Sequence, residues 1–166
     1  MTNKEESTVG DELDNLYRAV GFIVIQWGLA EQSLDMIVAI IFHDFGGNKI
    51  KNKLPKMLKP KIDYLRECFN KISDISEHKE AGNEILNVFE NLSERRHEII
   101  HGAVSTTASN NGAYAFAKLD IINGYHQVRE FDFDIKQLPK LSEDLVSLGS
   151  NTTKLANQLL QINHEL

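Results

Sequence analysis

The segment from Arg96 to Gly102 contains residue types that can do two different kinds of chemistry. Its sequence is Arg-His-Glu-Ile-Ile-His-Gly. Starting from Arg96, the spacing to His101 is R-x4-H, which places a cation near an acid/base group and suits cleavage of a phosphodiester. Starting from His97, the same residues give H-E-x-x-H, the helix motif of zinc proteases. The rest of the chain has to decide between the two interpretations.

The zinc interpretation depends on a third ligand. On a helix, His97 and His101 lie on one face and can both reach a metal, with Glu98 as the base for a bound water. A catalytic zinc also needs a third protein ligand. The later candidates, none of which belongs to a recognisable ligand motif, are His126, Glu130, His164 and Glu165. We therefore expect neither a metal nor a cofactor, and keep a zinc hydrolase as the third interpretation.

The arginine interpretation needs no metal. Cleaving RNA through its own 2′-hydroxyl requires a proton acceptor, a proton donor and a cation, which histidines and an arginine supply. Arg96 and His101 are about 140° apart around a helix, but a last turn that unwinds brings both groups to one phosphate. A helix C-terminus also favours a protonated imidazole. A surface pair at a helix end has the same spacing, so R-x4-H by itself is a weak signal.

Both ends of the chain have strong helical periodicity. Apolar residues recur three and four positions apart from Leu13 to Phe45 and again from Leu138 to Leu166. The pattern predicts two long helices, the first ending near Gly46-Gly47. Polar residues interrupt the first apolar run and argue against a membrane span; they are Gln26, Glu31, Gln32 and Asp35. Because the first residues also lack an apolar signal region, we expect a cytoplasmic protein without membrane contact.

Two shorter helices are predicted between the long ones. The second helix begins near Pro60, since proline is well tolerated in a first turn, and ends around Ser73. For the third helix, Ser76 is a plausible N-cap and Gly102 a left-handed stop just after His101.

The spacing of apolar residues changes after the third helix, from the helical repeat to strict alternation. Residues 112–122 and 125–133 alternate apolar and polar side chains around Asn123-Gly124, the strongest short hairpin signal. We therefore predict a mainly α fold, a four-helix up-and-down bundle with a β-hairpin inserted between helices three and four.

Length and composition indicate one domain. A chain of 166 residues with 42% hydrophobic content can form one good core. We assign residues 1–10 to a flexible N-terminus and 11–166 to a single domain, with the hairpin insert at about 103–133. The single cysteine, Cys68, excludes an internal disulfide, and we predict a buried thiol without a role.

The charge is distributed unevenly. The net charge is −6, yet residues 49–66 contain seven basic residues and one acid, Asp63. This segment, here called the lysine strip, has a local charge of +6, and phosphate affinity depends on local charge. We expect Lys53, Lys56 and Lys59 to bind RNA, and a solvated loop without a ligand is the alternative.

Most of the chain resembles the HEPN superfamily. The motif from Arg96 to Gly102 matches the R-x4-6-H signature of that superfamily, in which the residue after the arginine is commonly Asn, Asp or His; here it is His97. The other features that carry the resemblance are the four-helix layout, Trp27-Gly28-Leu29-Ala30-Glu31 in the first helix, the Gly46-Gly47 break, and Leu54-Pro55 ahead of the second helix.

The resemblance implies a metal-independent RNA endonuclease of toxin or antiviral-defence type. It implies a homodimer whose two motifs face each other, with Arg96 and His101 catalytic, His97 assisting, and an antitoxin or defence-system protein as a possible partner. Some members of the superfamily are inactive, so a non-catalytic dimerisation or partner-binding module is the alternative.

Glu31 is an acid on the apolar flank of the first helix. We expect it to support the fold through an ion pair with a core arginine such as Arg96, or else to extend to solvent, and a direct catalytic role is the alternative to the ion pair.

Overall fold

The computed structural model describes residues 3–106 and 113–165 and is mainly helical. Its helices are α1 (Asn3–Asp44), α2 (Leu58–Lys71), α3 (Lys79–His101) and α4 (Leu138–Glu165). Between α3 and α4 in the chain lies an antiparallel sheet of three strands, β1 (Ala103–Thr106), β2 (Ala113–Ile122) and β3 (Tyr125–Asp134), in the order β1-β2-β3. Short 3₁₀ segments are formed by Gly47–Lys49, Ser73–His78 and Ile135–Gln137.

Three boundaries differ from those predicted. Helix α1 begins at Asn3, inside the stretch assigned to a flexible terminus, because residues such as Lys4 and Glu5 extend an existing helix at little cost. Helix α3 begins at Lys79 rather than after Ser76, since residues 73–78 form a 3₁₀ segment. Strand β1 was not predicted and lies at the start of the stretch assigned to the hairpin insert, and residues 107–112 are outside the described residues.

The chain separates into two compact units. The first comprises Met1–Ile25 and Ser93–Asp144, and the second comprises Gln26–Leu92 and Leu145–Leu166. Helices α1, α3 and α4 each contribute residues to both. The single domain expected from length stays a prediction.

The sheet of the first unit is organised around the β2–β3 hairpin. Asn123 and Gly124 have φ values of 54° and 82°, which suits the two-residue turn that an Asn-Gly sequence favours. The ten residue pairs run from Ala113 opposite Asp134 to Ile122 opposite Tyr125. Because side chains alternate between faces, one face carries the large buried residues, which are Tyr114, Phe116 and Phe133.

The second unit has a helical core. Trp27 of α1 packs edge to face against Phe89 of α3, with ring centroids 5.5 Å apart. The hydroxyls of Ser33 on α1 and Thr153 on α4 form a hydrogen bond of 2.8 Å. Fully buried apolar residues come from all four helices and include Ala30, Leu34, Ile41, Leu65, Phe89 and Leu159. The apolar periodicity of each helix is therefore used in this core.

The Leu13–Asp44 part of helix α1 is long and apolar enough to cross a membrane by length and composition alone. The polar residues in this run therefore do not exclude a span. The core helix of a soluble protein passes the same test, and this helix contributes buried residues to the core of the second unit.

A buried lysine lies beside α1. The side chain of Lys61 on α2 is 6% exposed and forms ion pairs with Asp35 and, at 3.6 Å, with Glu31. The indole N–H of Trp27 donates to the other oxygen of Glu31 at 3.1 Å. Glu31 thus forms a structural ion pair of the kind predicted, with Lys61 as a partner.

The ion pairs of Lys61 predict that removing the lysine and removing its two acidic partners change the free energy of unfolding by different amounts. Lys61→Met removes the buried charge and leaves carboxylates that are 34% and 53% exposed, so we expect a loss below about 1 kcal/mol. The double variant Glu31→Gln with Asp35→Asn leaves the ammonium buried without counter-charges, and we expect a loss of about 2 kcal/mol or more. Urea unfolding measures both, and equal losses would contradict this account.

Candidate active site

The last turn of α3 is a regular helix. Helix α3 continues through His101, and the N–H of Gly102 donates to the carbonyl of Glu98 at 2.8 Å. The turn therefore does not unwind to bring Arg96 and His101 together, because this hydrogen bond closes it. Arg96 and His101 stay about 140° apart around the helix.

The turn brings the two histidines together instead. His97 and His101 are four residues apart and exposed, and their ring centroids lie 4.5 Å apart with an angle of 52° between the rings. At this distance the charge of His101 acts on His97 and lowers its pKa.

An ion-pair network links this turn to the hairpin. The guanidinium of Arg129 on β3 donates to Glu98 at 2.5 Å and to Asp120 of β2 at 3.0 Å. Lys118 of β2 contacts the other oxygen of Asp120 at 2.9 Å. Lys118 and Arg129 are directly opposite on the two strands, where like charges repel, and Asp120 offsets that repulsion by pairing with both. The hydrogen bonds from Lys118 and then Arg129 lower the pKa of Asp120, which keeps it ionised.

The surroundings of His97 favour its neutral form. Desolvation by neighbouring groups is the largest cause that lowers the pKa of His97, followed by the positive charges of Lys118, His101 and Arg96. Asp120 acts in the opposite direction. His97 is therefore suited to accept a proton near neutral pH.

Gly102 allows the helix end to lie close to the sheet. Among the described residues positive φ is found at Gly46, Asn123 and Gly124, so Gly102 is not the left-handed stop that was predicted. A Cβ at Gly102 would lie 2.7 Å from the Glu98 carbonyl and 2.9 Å from the ring of Phe131. The ring of Phe131 itself stacks on that of Phe116 at 5.4 Å. The position needs glycine for space, because any side chain would collide with this aromatic pair.

The geometry does not favour the zinc interpretation. Among the residues whose side chains the structure describes, no group of three His, Cys, Asp or Glu could hold a metal. His126 and Glu130 alternate with Arg129 along β3 and so lie on the sheet face opposite to the contact with Glu98. Glu98 is paired with Arg129.

The lysine strip lies in the second unit, and part of its charge is neutralised. Lys53 and Lys56 are exposed between α1 and α2. Lys59 pairs with Asp63 at 2.8 Å and with Glu90 at 3.0 Å, and Arg66 also pairs with Glu90. Together with the buried Lys61, these pairs leave fewer cations for RNA than the sequence count indicates.

Cys68 is also in the second unit and is buried. Burial raises the pKa of its thiol to about 11, so the thiol stays protonated and is a poor nucleophile.

Lys118, Asp120 and Arg129 were not identified from the sequence. The alternation of β2 and β3 around Asn123-Gly124 was the available signal, because it places Lys118 opposite Arg129 once the turn is fixed. That register does not predict contact with α3.

Comparison of the chain with protein-family models, curated proteins and solved structures finds no match.

The close packing at Gly102 gives a stability prediction. Gly102→Ala should destabilise the protein by about 1–3 kcal/mol, since the new methyl group overlaps the Glu98 carbonyl and the ring of Phe131. The matched control is Gly149→Ala inside α4, where a Cβ meets nothing within 4 Å. There the higher helix propensity of alanine should stabilise the protein by as much as about 1 kcal/mol. Thermal unfolding measures both, and an unchanged Tm for Gly102→Ala would contradict the role of this glycine.

Proposed function

We propose that this protein is a metal-independent RNA endonuclease of toxin or antiviral-defence type, with Arg96, His97 and His101 as its catalytic residues. The observation that carries the proposal is the exposed histidine pair, 4.5 Å between ring centroids, with the charge of Arg96 acting on His97. Two adjacent imidazoles and a guanidinium are the groups that RNA transphosphorylation requires.

The reaction proceeds by transfer of two protons. His97, held neutral, accepts the proton of the ribose 2′-hydroxyl, and the 2′-oxygen then forms a bond to phosphorus. The bond from phosphorus to the 5′-oxygen breaks as His101 donates its proton to that oxygen. The products are a 2′,3′-cyclic phosphate and a 5′-hydroxyl, and Arg96 stabilises the negative charge of the phosphorane between them. His97 thus acts as the base in this proposal, a larger role than the assisting one implied by the resemblance.

The resemblance to the HEPN superfamily extends the proposal to the fold and the assembly. In this proposal the four helices form an up-and-down bundle, and the sheet between α3 and α4 is an insertion into it. The protein acts in the cytoplasm as a homodimer in which the two α3 ends face each other, and an antitoxin or defence-system protein controls it. The exposure of His97 and His101 at the end of α3 supports such a shared cleft.

A non-catalytic interaction module is the second candidate, and the hairpin favours it. Leu119, Ile121 and Val128 lie on one face of the sheet and are 61%, 69% and 63% exposed. Grouped exposed apolar residues are typical of surfaces that bind another protein.

The catalytic roles predict large losses of activity. His101→Ala and His97→Ala should each lower RNA cleavage by about 10²–10⁴ through loss of proton transfer. Arg96→Ala should be similarly damaging through loss of charge stabilisation. His126→Ala, an exposed histidine on the hairpin, is the control and should keep wild-type activity. The assay measures single-turnover cleavage of labelled RNA and identifies the termini of the products.

Two further results separate the candidates. Cleavage should persist in excess chelator, whereas loss of activity in EDTA with recovery in zinc would restore the H-E-x-x-H interpretation. Folded variants of Arg96, His97 and His101 that all retain wild-type rates would leave the interaction module as the function.

The exposed lysines predict a change in RNA binding. Lys53→Glu with Lys56→Glu should weaken binding of a non-cleavable 2′-O-methyl RNA and lower the slope of log affinity against log salt by about 1–2. The control reverses Lys79 and Lys154, two exposed lysines, and matches the change in net charge. If both double variants bind alike, the lysine strip has no specific role in binding RNA.

A further inference from the structure

Lys118 is a largely buried lysine near the histidine pair. Its side chain is 14% exposed, which is unusual for lysine, and it faces the same side of the sheet as Asp120 and Arg129. Asp120 contacts it at 2.9 Å and takes one of the three N–H groups of the ammonium. An ammonium held in this way is already ordered. Binding an anion to it therefore costs little further side-chain entropy.

Contacts connect Lys118 to the catalytic turn. Lys118 pairs with Asp120, Asp120 with Arg129, and Arg129 with Glu98, the residue that follows His97. The charge of Lys118 also acts on His97 directly. The network therefore holds Lys118 on the side of the hairpin that carries the contact to α3.

The charge balance of this cluster suits a phosphate. Three fixed cations, Arg96, Lys118 and Arg129, accompany two carboxylates, Glu98 and Asp120. The cluster has a net charge of +1 when the histidines are neutral and +3 when both are protonated. A phosphodiester carries one negative charge and the phosphorane formed from it carries two, so the attraction increases in the transition state.

We propose that Lys118 is a further catalytic residue, whose ammonium contacts a non-bridging oxygen of the scissile phosphate, and that Asp120, Arg129 and Glu98 are positioning residues. This inference rests on the proposed nuclease function. Lys118 forms and breaks no covalent bond. It stabilises the charge that develops on the non-bridging oxygens while the 2′-oxygen attacks and the 5′-oxygen leaves.

The first test is a histidine titration by NMR in the wild type, with His97→Asn to assign the signal. Lys118→Ala removes a positive charge from the surroundings of His97 and should raise its pKa. Asp120→Asn removes a negative charge and should lower it further, while Lys118→Arg should leave it near the wild-type value. The other charged groups at this turn, Arg96, His101, Glu98 and Arg129, are unchanged in these variants.

The second test is kinetic and includes a matched control. Lys118→Ala should lower kcat by about 10²-fold with a smaller change in KM, because the contact strengthens in the transition state. The acid limb of kcat/KM should move to higher pH, since His97 must be neutral to act as a base and its pKa has risen. Lys118→Arg should restore most of kcat. Lys140→Ala, which removes another Lys–Asp pair of the first unit, should keep wild-type kinetics.

The outcomes distinguish this inference from the proposed function. If the wild type does not cleave RNA, both are overturned. If the wild type cleaves and Lys118→Ala keeps its kcat, only the role of Lys118 is overturned, even where the pKa of His97 has moved. Lys118→Gln, which can still donate to Asp120, replaces the alanine variant if circular dichroism shows that the latter is unfolded.

Discussion

The ion pairs of Arg129 are the interaction on which the candidate site depends. A guanidinium presents its donors in a rigid fork, so one side chain can fix two carboxylates at once. Here the two are Glu98 at the end of α3 and Asp120 on β2, whose side chains are 17% and 22% exposed. Removing Arg129 would leave both without this partner and would release the link between the helix and the hairpin. The link connects Lys118, through Asp120, to the helix end that carries His97.

Close packing makes this link possible. Gly102 follows α3 directly, and the absence of a side chain there lets the helix end approach the rings of Phe116 and Phe131. Arg129 lies over Phe131, with its guanidinium carbon 5.7 Å from the ring centroid, so the same ring that limits position 102 also supports the arginine. Apolar packing and charge pairing thus constrain one region of the first unit together.

In the second unit, ion pairs reduce the phosphate affinity that would be expected from the number of basic residues. Lys61 neutralises acids of α1 from a buried position, while Lys59 and Arg66 pair with Glu90. Their contribution to phosphate affinity is reduced, because their carboxylate partners match them in charge and each approaching phosphate competes with a carboxylate, whereas the cluster at Lys118 keeps a net positive charge. The positive charge that such a segment offers to phosphate depends on which cations are paired, so a count of lysines overestimates it.

The sequence by itself determined the features that local interactions control. Apolar periodicity predicted the mainly helical character, the part of α1 from Leu13 onward and the extent of α4, and Asn123-Gly124 predicted the turn between β2 and β3. Each signal depends on residues within a few positions of one another. The histidine pair belongs to this class, because a spacing of four places two side chains together on any helix.

The tertiary structure alone decided which distant residues meet. Strand β1 has four residues, too few to show the alternation of apolar and polar side chains that predicts a strand, and it forms by pairing with β2. Lys118 lies 21 positions from His97, and Lys61 has the sequence surroundings of a solvated lysine although it is buried. Such contacts depend on how elements pack, and the same local pattern is compatible with many packings. For that reason the sequence predicted the histidine pair at the end of α3, while the fold decided which charges surround it.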